Sequence, residues 1–268
     1  LTHSDAVTVP SRTLESLVWA KGVSPERVFY APNGVEPDRF VGGAAGDEGG
    51  RKVASEGASE FCILLYTRFF EFPVVRVIEV LRGVQGRVPD AHLLVVGEGL
   101  FGEERELFRL AERSDLTVAG PALGRTENWS SFDGPAPAAI PDITFAGWVS
   151  PEMLPAIFSK VTMAIYPFDD TLVNRTKCAV KLTDLLAAGV PVVAEAVGQN
   201  REYVRHGVTG LLVEPGDVPA FVDAVVDVLT DRPLQHRLSR RAARDVRQRF
   251  AWHKIVETVE RAYRRETA

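Results

Sequence analysis

Phe61-Cys62-Ile63-Leu64-Leu65-Tyr66 is an unbroken apolar run; Val74, Val77, Ile78, Leu81 and Val84 follow at helical spacing, and then a second run, Leu93-Leu94-Val95-Val96. A run with no polar alternation reads as a strand buried on both faces, and a strand–helix–strand order of this length builds a parallel unit. The rhythm continues: Ile143–Phe145, Met163–Tyr166, Val190–Val193 and Leu211–Val213 read as further buried strands, with helical periods between most of them. The expected fold is α/β, a doubly wound parallel sheet over residues 61–230. Ligands of such sheets sit outside the carboxyl ends of the strands, so the residues after each run are the candidates for function.

Working outward, residues 1–40 predict a strand at Val7-Thr8-Val9 and a helix from Ser11 to about Lys21, its apolar face Leu14, Leu17 and Val18, ended by Gly22. A second strand, Val28-Phe29-Tyr30, runs into the turn Pro32-Asn33-Gly34. Residues 41–60 hold six of the 22 glycines and almost nothing to bury, and read as a flexible linker. Residues 114–142 form a Pro-, Gly-, Ser- and Ala-rich insertion, a surface loop or a lid. The last part, 231–268, reads as two helices separated near Phe250-Ala251-Trp252. Leu1-Thr2-His3-Ser4-Asp5 has neither a basic nor an apolar leader segment and reads as a chain entered midway.

At 46% hydrophobic and 25% charged over 268 residues, the chain has enough apolar content for a sizeable core, which argues against disorder over most of its length. Cys62 and Cys178 are too few for a disulfide framework, and the five histidines make no metal-ligand spacing. No apolar run reaches the roughly 18 residues of a membrane span. A net charge of −5 gives no sign of nucleic-acid binding. Secreted mini-protein, membrane span and zinc module are thereby excluded.

Two motifs follow strands. Gly97-Glu98-Gly99-Leu100-Phe101-Gly102 matches G-x-G-x-x-G between a strand and a helix, which suits a pyrophosphate-binding turn. The acidic residue expected after the next strand of a dinucleotide site is missing, so Gly97 and Gly99 read better as a glycine-rich turn near a different ligand. The second motif, Pro167 to Gly189, leaves a strand, makes a polar loop and enters a helix. Arg175, Lys177 and Lys181 gather near that helix start, where the helix dipole disfavours cations unless an anion such as a diphosphate lies between them. Thr176 and Val180 share the turn, and Asp184, one turn on, can accept from vicinal sugar hydroxyls. A solvated basic turn and an exposed aspartate are the alternatives. Asp169-Asp170 is the nearest approach to an acidic metal pair; a polar loop is the preferred reading, and no metal is expected. Cys178 has no histidine nearby in sequence to activate it and reads as packing.

The 167–189 segment resembles the C-terminal half of retaining GT-B glycosyltransferases of the group 1, or family-four, type. Ser4-Asp5-Ala6-Val7, Pro32-Asn33-Gly34-Val35, Gly147-Trp148-Val149, Leu186 to Val193, Gly207 to Val213 and Phe250-Ala251-Trp252 resemble further blocks of that family in the same order. The resemblance implies a domain plan: 1–40 the end of an N-terminal acceptor domain, 41–60 a linker, 61–230 the nucleotide-sugar donor domain, and 231–268 helices crossing back to the N-terminal lobe. It implies sugar transfer with retained configuration and without a metal; this chain would be mainly the donor-binding half, with donor binding expected without turnover.

By the same resemblance, Arg68 grips the donor diphosphate, Asp184 holds the ribose and Gly147, Trp148 and Val149 meet the base; Arg68 and Lys181 are the expected catalytic cations. The family's second lysine after the arginine is absent from Phe69-Phe70-Glu71-Phe72-Pro73, and its first motif glutamate falls on Thr176. Lys177 and Lys181 are the candidates to replace the missing charge. Gly198-Gln199-Asn200 and Glu202 are expected to line the same cleft. The implied partners are a nucleotide-sugar donor and a lipid-linked or polysaccharide acceptor, with no nucleic acid, in the cytoplasm. Eleven Lys or Arg between Arg232 and Arg265 face only Asp245, Glu257 and Glu260; peripheral contact at the inner membrane face is one reading, and a solvated helical surface the preferred one. A degenerate non-catalytic module, a sugar-nucleotide epimerase and an NAD-dependent oxidoreductase remain as alternatives.

Overall fold

The structure, a computed structural model, describes residues 3–40, 61–120 and 140–264. The expected linker 41–60 and most of the 114–142 insertion lie outside the described residues.

Seven parallel strands form the main sheet in the order β5-β6-β4-β3-β7-β8-β9: β3 (Cys62–Tyr66), β4 (His92–Val96), β5 (Val118–Ala119), β6 (Ile143–Gly147), β7 (Met163–Tyr166), β8 (Val192–Glu195) and β9 (Leu211–Val213). Strand side chains alternate between two apolar layers, as period-2 geometry requires. Ile63, Leu65, Leu93 and Val95 join the core under α2 (Val74–Gln85), α3 (Glu104–Arg113) and α8 (Val218–Thr230). Cys62, Leu64, Leu94 and Val96 join the opposite core with α4 (Leu154–Lys160), α6 (Val180–Ala187) and α9 (Arg232–Arg249). Burial on both faces explains why these runs carry no polar alternation.

The chain winds from β3 out to β4 and β6 on one side, then returns to place β7, β8 and β9 on the other. The winding reverses between β3 and β7, and the loops after those two strands part there, leaving a crevice.

The strand expected at Val190–Val193 is shifted to Val192–Glu195 because Gly189 and Val190 form the cap that follows α6. Gly189 takes φ +71, its amide donates to Leu186 O at 3.0 Å and that of Val190 to Leu185 O at 2.9 Å, the double bond of a Schellman cap. Beyond Val193 the strand continues into the buried Glu195.

The N-terminal segment makes a two-stranded parallel sheet, β1 (Val7–Val9) with β2 (Val28–Tyr30), and helix α1 (Arg12–Ala20), whose N-cap Ser11 accepts from the Leu14 amide. It is stitched to the main domain. Val35 and Ala251 form a parallel bridge, the Val35 amide donates to Phe250 O at 2.8 Å, and α10 (Trp252–Tyr263) packs against β1 and β2. No helix among the described residues is long and apolar enough to cross a membrane.

Gly97 carries the tightest backbone crossing. A Cβ there would lie 1.9 Å from Thr67 O, at φ +119. Gly97→Ala is therefore expected to cost about 2–3 kcal/mol or more, from strain and forced separation of the β3 and β4 loops. A urea midpoint within experimental error of the wild type would refute this.

Candidate functional site

The β3 loop begins Thr67-Arg68-Phe69. The Thr67 hydroxyl accepts from the Phe69 amide at 2.8 Å, and Phe69, buried, takes φ +67. A bulky residue in the left-handed region costs about 1–3 kcal/mol, and such strain concentrates at functional loops. Arg68 precedes this bend. Its Nε is buried and has no hydrogen-bond partner among the described residues. A buried guanidinium N–H without an acceptor is expensive, and a bound anion would satisfy it.

Across the crevice the β7 loop runs through Pro167 and Phe168 into two helices where one was expected: α5 (Leu172–Thr176), capped by Thr171, and α6. Lys181 lies in the first turn of α6. Among the described residues no side chain caps that turn. Lys181, Glu71, Thr67, Tyr166 and Phe168 line a shallow cleft open to solvent. Burial pushes the Lys181 amine below the ordinary lysine range, and the neighbouring Lys177 and Arg68 charges push it the same way while Glu71 and Asp184 oppose. A cation held partly desolvated beside other cations is matched to an anion not yet bound.

Asp184 lies one turn along α6. Burial pushes its carboxyl above the usual carboxylate range, opposed by Arg39 and Lys181. Arg39, from the N-terminal segment, places Nη1 3.7 Å from Asp184 Oδ1. The sign of the stability effect follows. A raised carboxyl holds its proton more tightly in the folded state, so ionisation costs stability increasingly as pH rises from 3.8 through the folded value. Asp184→Asn removes that cost and is expected to raise Tm by about 2–4 °C at neutral pH. The gain should shrink as pH falls toward 3.8; a lowered Tm at neutral pH would contradict it.

Other predicted residues are assigned elsewhere by the structure. Arg175 sits in α5, exposed, and its Nη2 donates to Asp170 at 2.6 Å. Thr176 turns its hydroxyl back to Val173 O at 2.9 Å, and its carbonyl accepts from Ser11 Oγ at 3.0 Å, so it ties α5 to the N-terminal segment. Lys177 reaches the crevice but donates to Glu71 Oε1 at 3.0 Å, with its ammonium 3.8 Å above the Phe70 ring. Its charge is therefore committed to a carboxylate, which leaves Arg68 and Lys181 as the cations for an anion. Val180 is partly exposed at the start of α6. Cys178 lies 3.9 Å from the Tyr203 hydroxyl, and burial raises its thiol, the opposite of an activated nucleophile.

The glycine motif is satisfied internally. The Gly97 amide donates to Gly147 O at 2.7 Å, the Gly99 amide to Glu104 at 3.0 Å and the Phe101 amide to Glu103 at 2.8 Å. Two carboxylates already occupy the amides that a pyrophosphate would need, so Gly99 offers no anion contact and Gly97 serves the backbone crossing. In the neighbouring loop Gly147 takes φ +67, Trp148 is half-exposed and Val149 is buried in the core.

Gln199, Asn200 and Glu202, expected to line the cleft, are staples. Gln199 Oε1 accepts from the Ala179 amide at 2.9 Å, Asn200 Nδ2 donates to Glu195 O at 2.9 Å, and Glu202 accepts from the Arg12 amide at 3.1 Å and from the Tyr30 hydroxyl. Asp169 and Asp170 are held by separate guanidiniums, Arg76 at 2.7 Å and Arg175. Glu71 and Arg39 were missed by the sequence reading. Neither has a local signal, because their partners lie far along the chain.

Fold and site together define a doubly wound α/β domain with a cationic cleft at its switch point. The chain belongs to the group 1 glycosyl transferases, whose family model matches residues 71–231, more than half of the chain. D-inositol 3-phosphate glycosyltransferase of Geodermatophilus obscurus is 28% identical over 250 residues, 90% of this chain and 48% of the relative. A GDP-mannose-dependent phosphatidylinositol monomannoside mannosyltransferase of Mycobacterium tuberculosis is 28% identical over 211 residues, 76% of this chain and 47% of the relative. The chain thus spans about half the length of the curated relatives that it matches over most of its own. Among solved structures, Anabaena HepE in complex with UDP and glucose superposes with a TM-score of 0.69 at 16% identity, covering 97% of this chain and 63% of that one. Sucrose-phosphate synthase from Thermosynechococcus elongatus gives 0.68 at 22% identity, covering 98% of this chain and 59% of that one. The structural likeness shows the fold, a GT-B architecture.

Proposed function

We propose that the chain binds a nucleotide sugar at the β3–β7 switch point and serves its transfer to an acceptor. The buried Arg68 Nε, without a hydrogen-bond partner among the described residues, carries this reading. The Arg68 charge acts on the partly desolvated Lys181, which lies in the first turn of α6, a helix that no side chain caps among the described residues. Three positive features around one small space suit a diphosphate, and the relatives are named for sugar transfer, one of them from GDP-mannose.

In this reading Arg68 and Lys181 hold the diphosphate. As the bond between the sugar carbon and the phosphate oxygen breaks, negative charge grows on that oxygen, and both cations bind it more strongly than they bind the ground state. Asp184, kept oriented by Arg39, accepts from the ribose hydroxyls, and the Gly147–Val149 loop meets the base. Retention of configuration rests on the resemblance to the retaining enzymes. A metal-independent reaction is favoured by the cations in the cleft and by the engagement of Asp169 and Asp170 with arginines. The acceptor is proposed to be a glycan or a lipid-linked group, as for relatives named as acting on phosphatidylinositol mannosides.

Calorimetric titration of the chain with UDP, GDP, ADP and NAD tests the reading. Saturable binding of one nucleoside diphosphate, weakened about a hundredfold by Arg68→Ala, is expected. Binding of NAD alone, or of nothing in the panel, would overturn it.

A further inference from the structure

Glu71 is a buried carboxylate that neither the fold nor the diphosphate reading uses. Its backbone already ties the two loops together, since its carbonyl accepts from the Asp169 amide at 2.8 Å and from Asn174 Nδ2 at 2.8 Å. Its side chain is 8% exposed and lines the cleft beside Lys181. Among the described residues the carboxylate accepts one hydrogen bond, from Lys177 Nζ at 3.0 Å. A carboxylate has about four acceptor positions, so most of its capacity remains open toward the cleft. Lys177 is fixed in turn by the Phe70 ring, 3.8 Å from its ammonium, and Phe168 stacks on Tyr166 at 5.1 Å along the same wall.

A buried ion pair of this kind stabilises a fold no better than an apolar pair of equal volume. Nor does the carboxylate suit the phosphates, since like charges a few ångströms apart repel. What an ionised carboxylate accepts from is a hydroxyl, and the hydroxyl-bearing group carried next to a diphosphate is the sugar. We propose that Glu71, positioned by Lys177, is a specificity-determining residue that accepts hydrogen bonds from hydroxyls of the transferred sugar. This rests on the nucleotide-sugar reading above and adds the residue that would tell a sugar nucleotide from the bare nucleoside diphosphate.

The test compares affinity within each pair: UDP with UDP-glucose, GDP with GDP-mannose and ADP with ADP-glucose, for the wild type, Glu71→Gln and Glu71→Asp. Glu71→Gln keeps the volume and can still accept from Lys177. It is expected to weaken the nucleotide sugar about tenfold while leaving the nucleoside diphosphate unchanged or up to about threefold tighter, because a repelling charge has gone. Glu71→Asp keeps the charge but withdraws its reach, and is expected to weaken only the sugar conjugate, several-fold. Each titration is repeated in EDTA, where the same selective loss is expected. Equal shifts of both ligands, no shift in either, or a sugar dependence that disappears in EDTA would overturn the proposal while leaving the nucleotide site standing. A wild type that binds no member of any pair would overturn the nucleotide reading and this inference together.

Discussion

Lys181→Ala is expected to weaken nucleoside diphosphate binding at least tenfold, and Arg68→Ala about a hundredfold, read by calorimetry at fixed ionic strength. The two differ because of what each side chain gives up. Arg68 has a buried Nε with no acceptor among the described residues, so a phosphate oxygen arriving there forms a charge-assisted bond and also relieves an existing cost. Lys181 contributes charge from a partly desolvated position, and truncation removes one cation while Arg68 remains. A pH dependence separates this from simple loss of packing. Burial already holds the Lys181 amine below 10.5 in the free protein, and a bound dianion would raise it. Between those two values binding takes up a proton, so wild-type affinity should fall with rising pH before the ordinary lysine range is reached. Lys181→Ala should lack that fall. An alanine variant that keeps wild-type affinity, or that retains the alkaline fall, would remove Lys181 from the site.

The largest stability effect is expected at Arg76, which does not itself line the cleft. Arg76 lies in the first turn of α2 and joins the end of β8 to the β7 loop: its Nη1 is 2.9 Å from Glu195 Oε2 and its Nη2 2.7 Å from Asp169 Oδ1. Glu195 is 1% exposed and also accepts from the Gly216 amide at 2.7 Å and from the Phe168 amide. Arg76→Met leaves that carboxylate buried without its counter-charge, a change that typically costs about 3–5 kcal/mol. The urea midpoint should drop with an unchanged slope, and Tm should fall by about 10 °C. Because Glu195 and Asp169 also fix the Phe168 loop, nucleotide affinity should weaken in the same variant. The double variant Arg76→Met/Glu195→Gln should recover part of the lost stability, since the unpaired charge is gone. A single variant as stable as the wild type would show that the amides alone satisfy Glu195.

The alternation of strand and helix was readable because side-chain period is a local property. Runs such as Ile63 to Leu65 and Leu93 to Val96 could be buried on both faces only in a parallel sheet flanked by helices, and the observed strands follow them within a residue or two. Helix ends were readable for the same reason: Ser11 opens α1, and Gly22, at φ +84, ends it. The site was half legible. Arg68, Lys181 and Asp184 stand at strand and helix ends where the fold class directs attention, and family resemblance named them. The pairings among charges were not legible. Lys177 meets Glu71 across 106 positions of chain and Arg76 meets Glu195 across 119, and both meetings exist only because β7 lies beside β3 and β8 beside β7. The five-residue α5 was equally hidden, being too short to show a period. The sequence by itself determined the layers of this protein and the ends of the strands where chemistry could occur. Tertiary structure decided which cations stay open to an anion, because strand order sets which loops face each other, and opposing charges brought within about 3 Å neutralise one another before any ligand arrives.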